Sequence, residues 1–182
     1  MKSKKLKVID VLIAGAYLAF IYLTLPVMPR VWESLSQALG PLADYVAQII
    51  LMLAVLAVGA YSIAKHQGAL SILAVAIIML CYLLGLNSLK LSIERIHFVE
   101  YGILAVLIWR ALRGNFSNNA VYLWSAMLVT LAGFIDECIQ YRLPTRVYDN
   151  RDVLVNAFSG ILALGLVAVF TSAEKNSDAD QT

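Results

Sequence analysis

Apolar residues in this chain fall in long blocks rather than in alternation with polar ones, and short polar breaks separate the blocks. About 20 mostly apolar residues are what a helix needs to cross the hydrocarbon core, where every backbone N–H and C=O has to be satisfied within the segment. Six blocks meet that length: Val8 to Met28, Leu42 to Ala64, Ala69 to Leu86, Ile93 to Leu112, Ala120 to Ile139 and Val153 to Thr171. The breaks carry helix-ending chemistry. Pro26, Pro29 and Pro41 bracket the first, Lys65-His66-Gln67-Gly68 makes a tight turn, and Arg113-Gly114-Asn115 opens the loop before the fifth block. Loops this short bring consecutive helices together antiparallel. The pattern predicts an all-α, polytopic transmembrane bundle of six spans over residues 8–171. A basic segment, 1–7, precedes it, and a polar Asp/Ser-rich tail, 172–182, is expected to be disordered because it has little apolar surface to bury.

Composition agrees with this and closes other routes. Hydrophobic residues make up 61% of the 182 and charged residues 14%, against roughly 25% charged in a soluble domain. The expected surroundings are therefore the lipid bilayer. The net charge of +2 is small and spread over loops, so no nucleic-acid partner is expected. Cys81 and Cys138 sit inside apolar blocks, which points to buried free thiols rather than a disulfide framework or a thiolate metal site. Four lysines before the first block resemble the start of a signal peptide, but the block is too long for one and no small-residue cleavage site follows, so it reads as a retained span.

Those lysines also orient the bundle. Basic residues favour the cytoplasmic side, which places the N-terminus there, and an even number of spans returns the C-terminus to it. On this arrangement eight Lys/Arg lie inside and six outside, among them Arg30, Arg142, Arg146 and Arg151. The stretch Val31 to Gly40, with Trp32, Leu35 and Leu39 at helical spacing, is expected to lie flat on the outer interface, where it could act as a lid. Trp32, Trp109 and Trp124 are expected as interfacial anchors. Gly15-x-x-x-Ala19 and Ser159-x-x-x-Ala163 offer small faces for close helix contact.

Three segments that end on the outer side hold the unusual polarity. The fourth span opens with Glu94-Arg95-Ile96-His97-Phe98-Val99-Glu100-Tyr101, where Glu94, His97 and Glu100 or Tyr101 share a stripe. The fifth closes with Asp136-Glu137-Cys138-Ile139-Gln140, where Asp136 and Gln140 share a face and Glu137 stands about 100° around. The loop carrying Arg142, Thr145 and Arg146 leads to Arg151-Asp152, and Asn156 follows one turn into the sixth span. Ionisable residues at membrane depth are costly and mark functional sites by default, so these residues predict a polar pocket opening outward. The structural reading is an ion-paired plug, with Arg95, Arg146 and Arg151 neutralising Glu94, Glu137 and Asp152. Asp152 also stands where it could cap the sixth helix.

Several chemistries fit such a pocket unequally. Glu94-x-x-His97 has the spacing of one arm of a carboxylate-bridged dimetal site, with Glu137 as a further ligand, but the second arm is missing, so no metal or cofactor is expected. His97 beside carboxylates could serve acid–base catalysis, and Arg146 and Arg151 could clamp a phosphate or carboxylate. Yet Ser92, Ser159 and Thr145 are the available hydroxyls, none in a nucleophile setting, and no residue is assigned as catalytic. A transporter is a third possibility, though paired Gly/Pro interruptions in two halves are not visible.

The ordered set Glu94-Arg95-x-His97-Phe98-x-Glu100-Tyr101, Asp136-Glu137-x-x-Gln140, Pro144-x-Arg146, Asp152, Asn156 and Gly160 resembles the VanZ-like membrane protein family, over about residues 93–165. In place of a glycine often found three residues after the Asn, this chain has Ser159, with Gly160 next to it. The resemblance implies a multi-pass protein of the bacterial cytoplasmic membrane, in a family named for a member associated with teicoplanin resistance. It implies a cell-envelope role with a lipid-linked, glycan or glycopeptide-related ligand, and it brings no defined biochemical activity.

Overall fold

A computed structural model describes the backbone of residues 2–65, 68–116, 118–143 and 149–179, and the side chains of 8–64, 68–116, 119–143 and 149–172. Among the described residues the chain is entirely helical: α1 (Lys2–Thr24), α2 (Met28–Leu39), α3 (Leu42–Lys65), α4 (Ala69–Ser88), α5 (Ser92–Leu112), α6 (Asn118–Gln140) and α7 (Asn150–Ala179). Four of them, α3, α4, α6 and α7, are long and apolar enough to cross a membrane, and a fifth crossing results if α1 and α2 are one broken span. The chain is thus a multi-pass helical protein with a bilayer as its surroundings. α5 has span length but carries Glu94, Arg95, Glu100 and Arg110, a charge load that a lipid-facing helix does not tolerate.

The position of α5 resolves that conflict. It packs against α1, α3, α6 and α7, so its polar groups meet protein rather than lipid. Phe98, Tyr101, Leu104 and Ala105 on α5 are almost fully buried, whereas α3 and α4 present rows of exposed apolar residues such as Ile49, Leu53, Ile77 and Leu80. One packed cluster joins Ile21 of α1, Tyr101 and Leu104 of α5, Val129 of α6 and Leu164 of α7. A second joins Val75, Tyr82 and Leu86 of α4 to Phe98 of α5.

Several expectations change here. The first apolar block does not run unbroken to Met28: α1 stops at Thr24, and the chain turns through Leu25-Pro26-Val27 into α2 at an angle of 61°. Proline disfavours helix for the residue before it, and Thr24 Oγ1 turns back on the carbonyls of Phe20 (3.0 Å) and Ile21 (2.8 Å). Trp109 is not an interfacial anchor: it is buried, stacked on Tyr122 at 6.3 Å, with the Arg113 guanidinium 5.2 Å over its ring. Cys138 is exposed on the outside of its helix and Cys81 is half-buried. Of the two small-residue faces, Ser159 and Ala163 are packed, while Gly15 has nothing within 4 Å of where a Cβ would stand. Asp10, near the start of α1, reaches Arg110 of α5 at 2.7 Å and ties those helices together at the end away from the polar cluster.

Close packing at the junction of α4, α5 and α7 depends on Gly102. A side chain there would collide with the Tyr82 hydroxyl and crowd Ser159 Oγ. Tyr82 donates to the Ser159 carbonyl at 2.8 Å, and Ser159 Oγ donates to the Phe98 carbonyl. Ser159 therefore replaces a small residue with one whose hydroxyl stitches α7 to α5.

Candidate functional site

The start of α5, the end of α6 and the start of α7 meet at one end of the bundle. Glycine makes the approach possible: a Cβ on Gly133 of α6 would stand 3.2 Å from Asn156 Cβ and 3.6 Å from the Tyr101 ring. Between these ends lies a narrow cleft of about 10 Å³, room for about one water-sized group, lined by Glu94 and His97 of α5, Glu137 of α6, and Asp152, Val155 and Asn156 of α7. Six residues from three helices thus share one small space. Among its described walls, carboxylates outnumber basic groups, and Val155 is the apolar exception.

Three of the wall residues are held by distinct contacts. His97 Nδ1 lies 3.0 Å from Glu100 Oε2 one turn along α5. Glu137 is almost fully buried and accepts from Gln140 Nε2 and from the Asp149 backbone N–H, both at 3.2 Å. That second bond anchors the entry to α7 on the end of α6. Glu94 Oε1 is 3.7 Å from Arg151 at the rim, a half-exposed pair that stabilises little, and its other oxygen reaches back to the Leu91 N–H at 3.5 Å. Asn156 is buried, lines the cleft, and makes no side-chain hydrogen bond among the described residues.

Behind the cleft stands a second polar layer. Asp136 is fully buried with Tyr101 and Gln140 as its polar neighbours, and neither of its oxygens accepts a hydrogen bond of normal geometry. The Tyr101 and Tyr22 hydroxyls both donate to the Ala132 carbonyl, at 3.3 and 2.9 Å. Tyr22 comes from α1 and shows no motif of its own in the sequence; only its place one turn before the Pro26 break hinted at it.

Of the sequence-predicted residues, Glu94, His97, Glu137, Asp152 and Asn156 line the cleft, and Glu100, Tyr101, Asp136 and Gln140 back it. Arg95 turns away. Its Nε donates to the carbonyls of Leu86 (3.2 Å) and Leu89 (3.0 Å), so this buried guanidinium closes the C-terminus of α4 instead of neutralising Glu94. Arg146, with Thr145, lies outside the described residues. Asp152 sits inside the first turn of α7, not at its cap. The cap is Asp149, whose Oδ1 accepts the Arg151 N–H at 2.8 Å. Two of the hydroxyls considered as nucleophiles are engaged elsewhere: Ser92 donates to Asp44 Oδ1 at 2.5 Å, and Ser159 to Phe98. No three His, Cys, Asp or Glu side chains among the described residues are grouped to hold a metal ion.

The comparisons with known proteins bear on the whole bundle rather than on the cleft alone. No curated protein and no solved structure matches the chain. The family model described as VanZ/LLP1 matches residues 14–171, which takes in the second half of α1, all of α2 to α6, most of α7 and all the cleft residues. The chain belongs to the VanZ/LLP1 family.

Proposed function

We propose that this protein is a six-span component of the bacterial cytoplasmic membrane, with both termini in the cytoplasm and its polar cleft open to the outer face. There it binds the polar end of a cell-wall, lipid-headgroup or glycopeptide-related ligand. What carries this reading is the convergence of Glu94, His97, Glu137, Asp152 and Asn156 from three helices on one cleft. Polar side chains at a helix-bundle end, with an apolar alternative always open to the sequence, are retained at a cost in stability that a ligand offsets.

The chemistry of the walls narrows what enters. Three carboxyl groups against one imidazole make the walls chiefly acceptors, so the complementary group is a donor: an ammonium, or the hydroxyl and amide N–H groups of a sugar. Of the two arginines that could clamp a phosphate, Arg146 lies outside the described residues and Arg151 stands half-exposed at the rim, 3.7 Å from Glu94. The cleft has room for no more than a single ammonium- or hydroxyl-sized group, so the remainder of the ligand lies outside it. Membrane-embedded catalysis on a lipid-linked or phosphorylated substrate is the second reading. It is disfavoured by the engagement of Ser92 and Ser159 away from the cleft. A small transporter is third, supported only by the break between α1 and α2.

Thermal unfolding of the detergent-solubilised protein, with glucosamine, glycerophosphoethanolamine and teicoplanin as probes, tests the proposal. Stabilisation by at least one of them, abolished in Glu137→Gln and Asn156→Leu variants that keep the wild-type fold, is expected. Absence of any shift, or a shift that survives both substitutions, contradicts ligand binding in the cleft.

A further inference from the structure

A second cavity, of about 470 Å³, lies between the α3–α4 hairpin and the pair formed by α5 and α7. Its α5 wall is Val99, Gly102, Ile103 and Val106. Val99 stands about 200° around the helix from His97, so the cavity is on the side of α5 away from the polar cleft. The origin of the gap is side-chain size. Ala54 of α3, Gly102 of α5 and Ala163 of α7 face it, and Gly102 cannot be larger because Tyr82 and Ser159 occupy the space where its side chain would go. The Tyr82 hydroxyl is the one polar side-chain group among the lining residues, and it is already spent on the Ser159 carbonyl.

Such a space excludes water and accepts apolar groups. Protein interiors are close-packed, and an apolar cavity of about 150 Å³ already takes up benzene or xenon. This one is three times that size and within the range of ligand pockets, about 300–1,000 Å³. A water molecule needs two to four polar partners, which these walls do not offer.

The surroundings identify the occupant. At the end of the bundle that holds the polar cleft, hydrogen bonds from Ser92 to Asp44 (2.5 Å) and from Gln48 to Asn87 (3.5 Å) tie α3 to its neighbours. Sideways the cavity opens past Val58 and Ile103, which are 48% and 46% exposed and continuous with the apolar outer surface of the span-length helices. What lies against that surface is hydrocarbon.

We propose that the cavity is a resident lipid site, holding one acyl chain of a bilayer lipid admitted sideways between α3 and α5. The site requires only that the bundle be embedded in a membrane, and it stands whether or not the polar cleft binds a ligand. A chain held there completes the packing between the α3–α4 hairpin and the rest of the bundle.

The test uses the full-length protein in phosphatidylcholine vesicles doped with a phosphatidylcholine whose acyl chain carries a mid-chain diazirine. After illumination, adducts are mapped by peptide mass spectrometry. Adducts are expected to be enriched at Val55, Val58, Ile103 and Val106 over the ordinary lipid-facing residues Leu123, Leu128 and Leu131 of α6. The enrichment is expected to fall about tenfold in Val106→Phe, the change that corresponds to losing the burial of roughly two methylenes. Ala54→Phe fills the same space from α3, where residue 54 is exposed, and is expected to give the same loss, so the test survives a failure of Val106→Phe to fold. Equal labelling of both residue sets, or labelling unchanged by a folded filling variant, overturns the proposal.

Discussion

α4 and α5 follow each other in sequence, have nearly the same length, and solve opposite problems. α4 has no charged residue and turns Ile77, Leu80 and Leu84 outward, so its stability comes from matching the hydrocarbon around it. α5 carries four charged residues and a histidine, and it is ringed by α1, α3, α6 and α7. In water the most polar helix of a bundle would be found outside; in lipid it is found inside, because protein partners are the only ones available to its polar groups. A span criterion that admits few charges therefore passes over the helix at the centre of the molecule, although the apolar run from Ile93 to Leu112 marks it.

The largest expected effect strikes the one contact that joins the two helices through a charge. Arg95→Ala removes the donor from the Leu86 and Leu89 carbonyls and leaves a hole beside them, and it should cost about 3 to 4 kcal/mol, read as unfolding free energy in mixed micelles. If the loss is near zero, Arg95 does not close α4 and its burial needs another explanation.

Exchanging the characters of the two helices is nearly as severe. Ile77→Lys places a charge on the lipid face of α4 and should cost about 3 kcal/mol. A glycine pair sharpens the same contrast between packed and lipid-facing positions. Gly102→Ala, at the crowded junction, should destabilise by about 2 kcal/mol. Gly15→Ala, on an open face of α1, should stabilise by up to about 1 kcal/mol through helix propensity. Equal effects at the two glycines would mean that the junction is looser than its geometry indicates.

The smallest effect concerns the entry to α7. Asp149→Ala should lose about 1 kcal/mol with its cap, while Asp152→Ala loses no cap. The reverse order in thermal unfolding would reassign the helix start to Asp152.

Hydrophobic blocks located the long helices, and some ends to the residue: α3 begins at Leu42, α4 at Ala69, and α5 ends at Leu112, while α7 runs from Asn150 to Ala179, beyond both ends of its apolar run from Val153 to Thr171. Where the sequence misled, a local signal outweighed the block. Pro26 cut the first run short, and Asp149 supplied the cap ahead of the first apolar residue, Val153. The helical stripe of Glu94 and His97 and the acidic end of α6 were legible as a cluster, because spacing of three to four fixes a face. The partner of each side chain was not. Arg95 could equally have faced Glu94 or the end of α4, and only the tertiary arrangement decides between a carboxylate and two orphan carbonyls. Tyr22 contributes to the layer behind the cleft from the far end of the chain, and no spacing rule connects residue 22 to residue 132.

The side of the membrane on which the polar ends of α5, α6 and α7 lie decides whether an envelope ligand can reach the cleft. Single cysteines at Arg142, in the α6–α7 connection, and at Gly68, in the α3–α4 connection, can be introduced into a Cys81→Ala, Cys138→Ala background and exposed in intact cells to a membrane-impermeant maleimide. The account predicts labelling at 142 and not at 68. Labelling at 68 and not at 142 would put the cleft in the cytoplasm and contradict it.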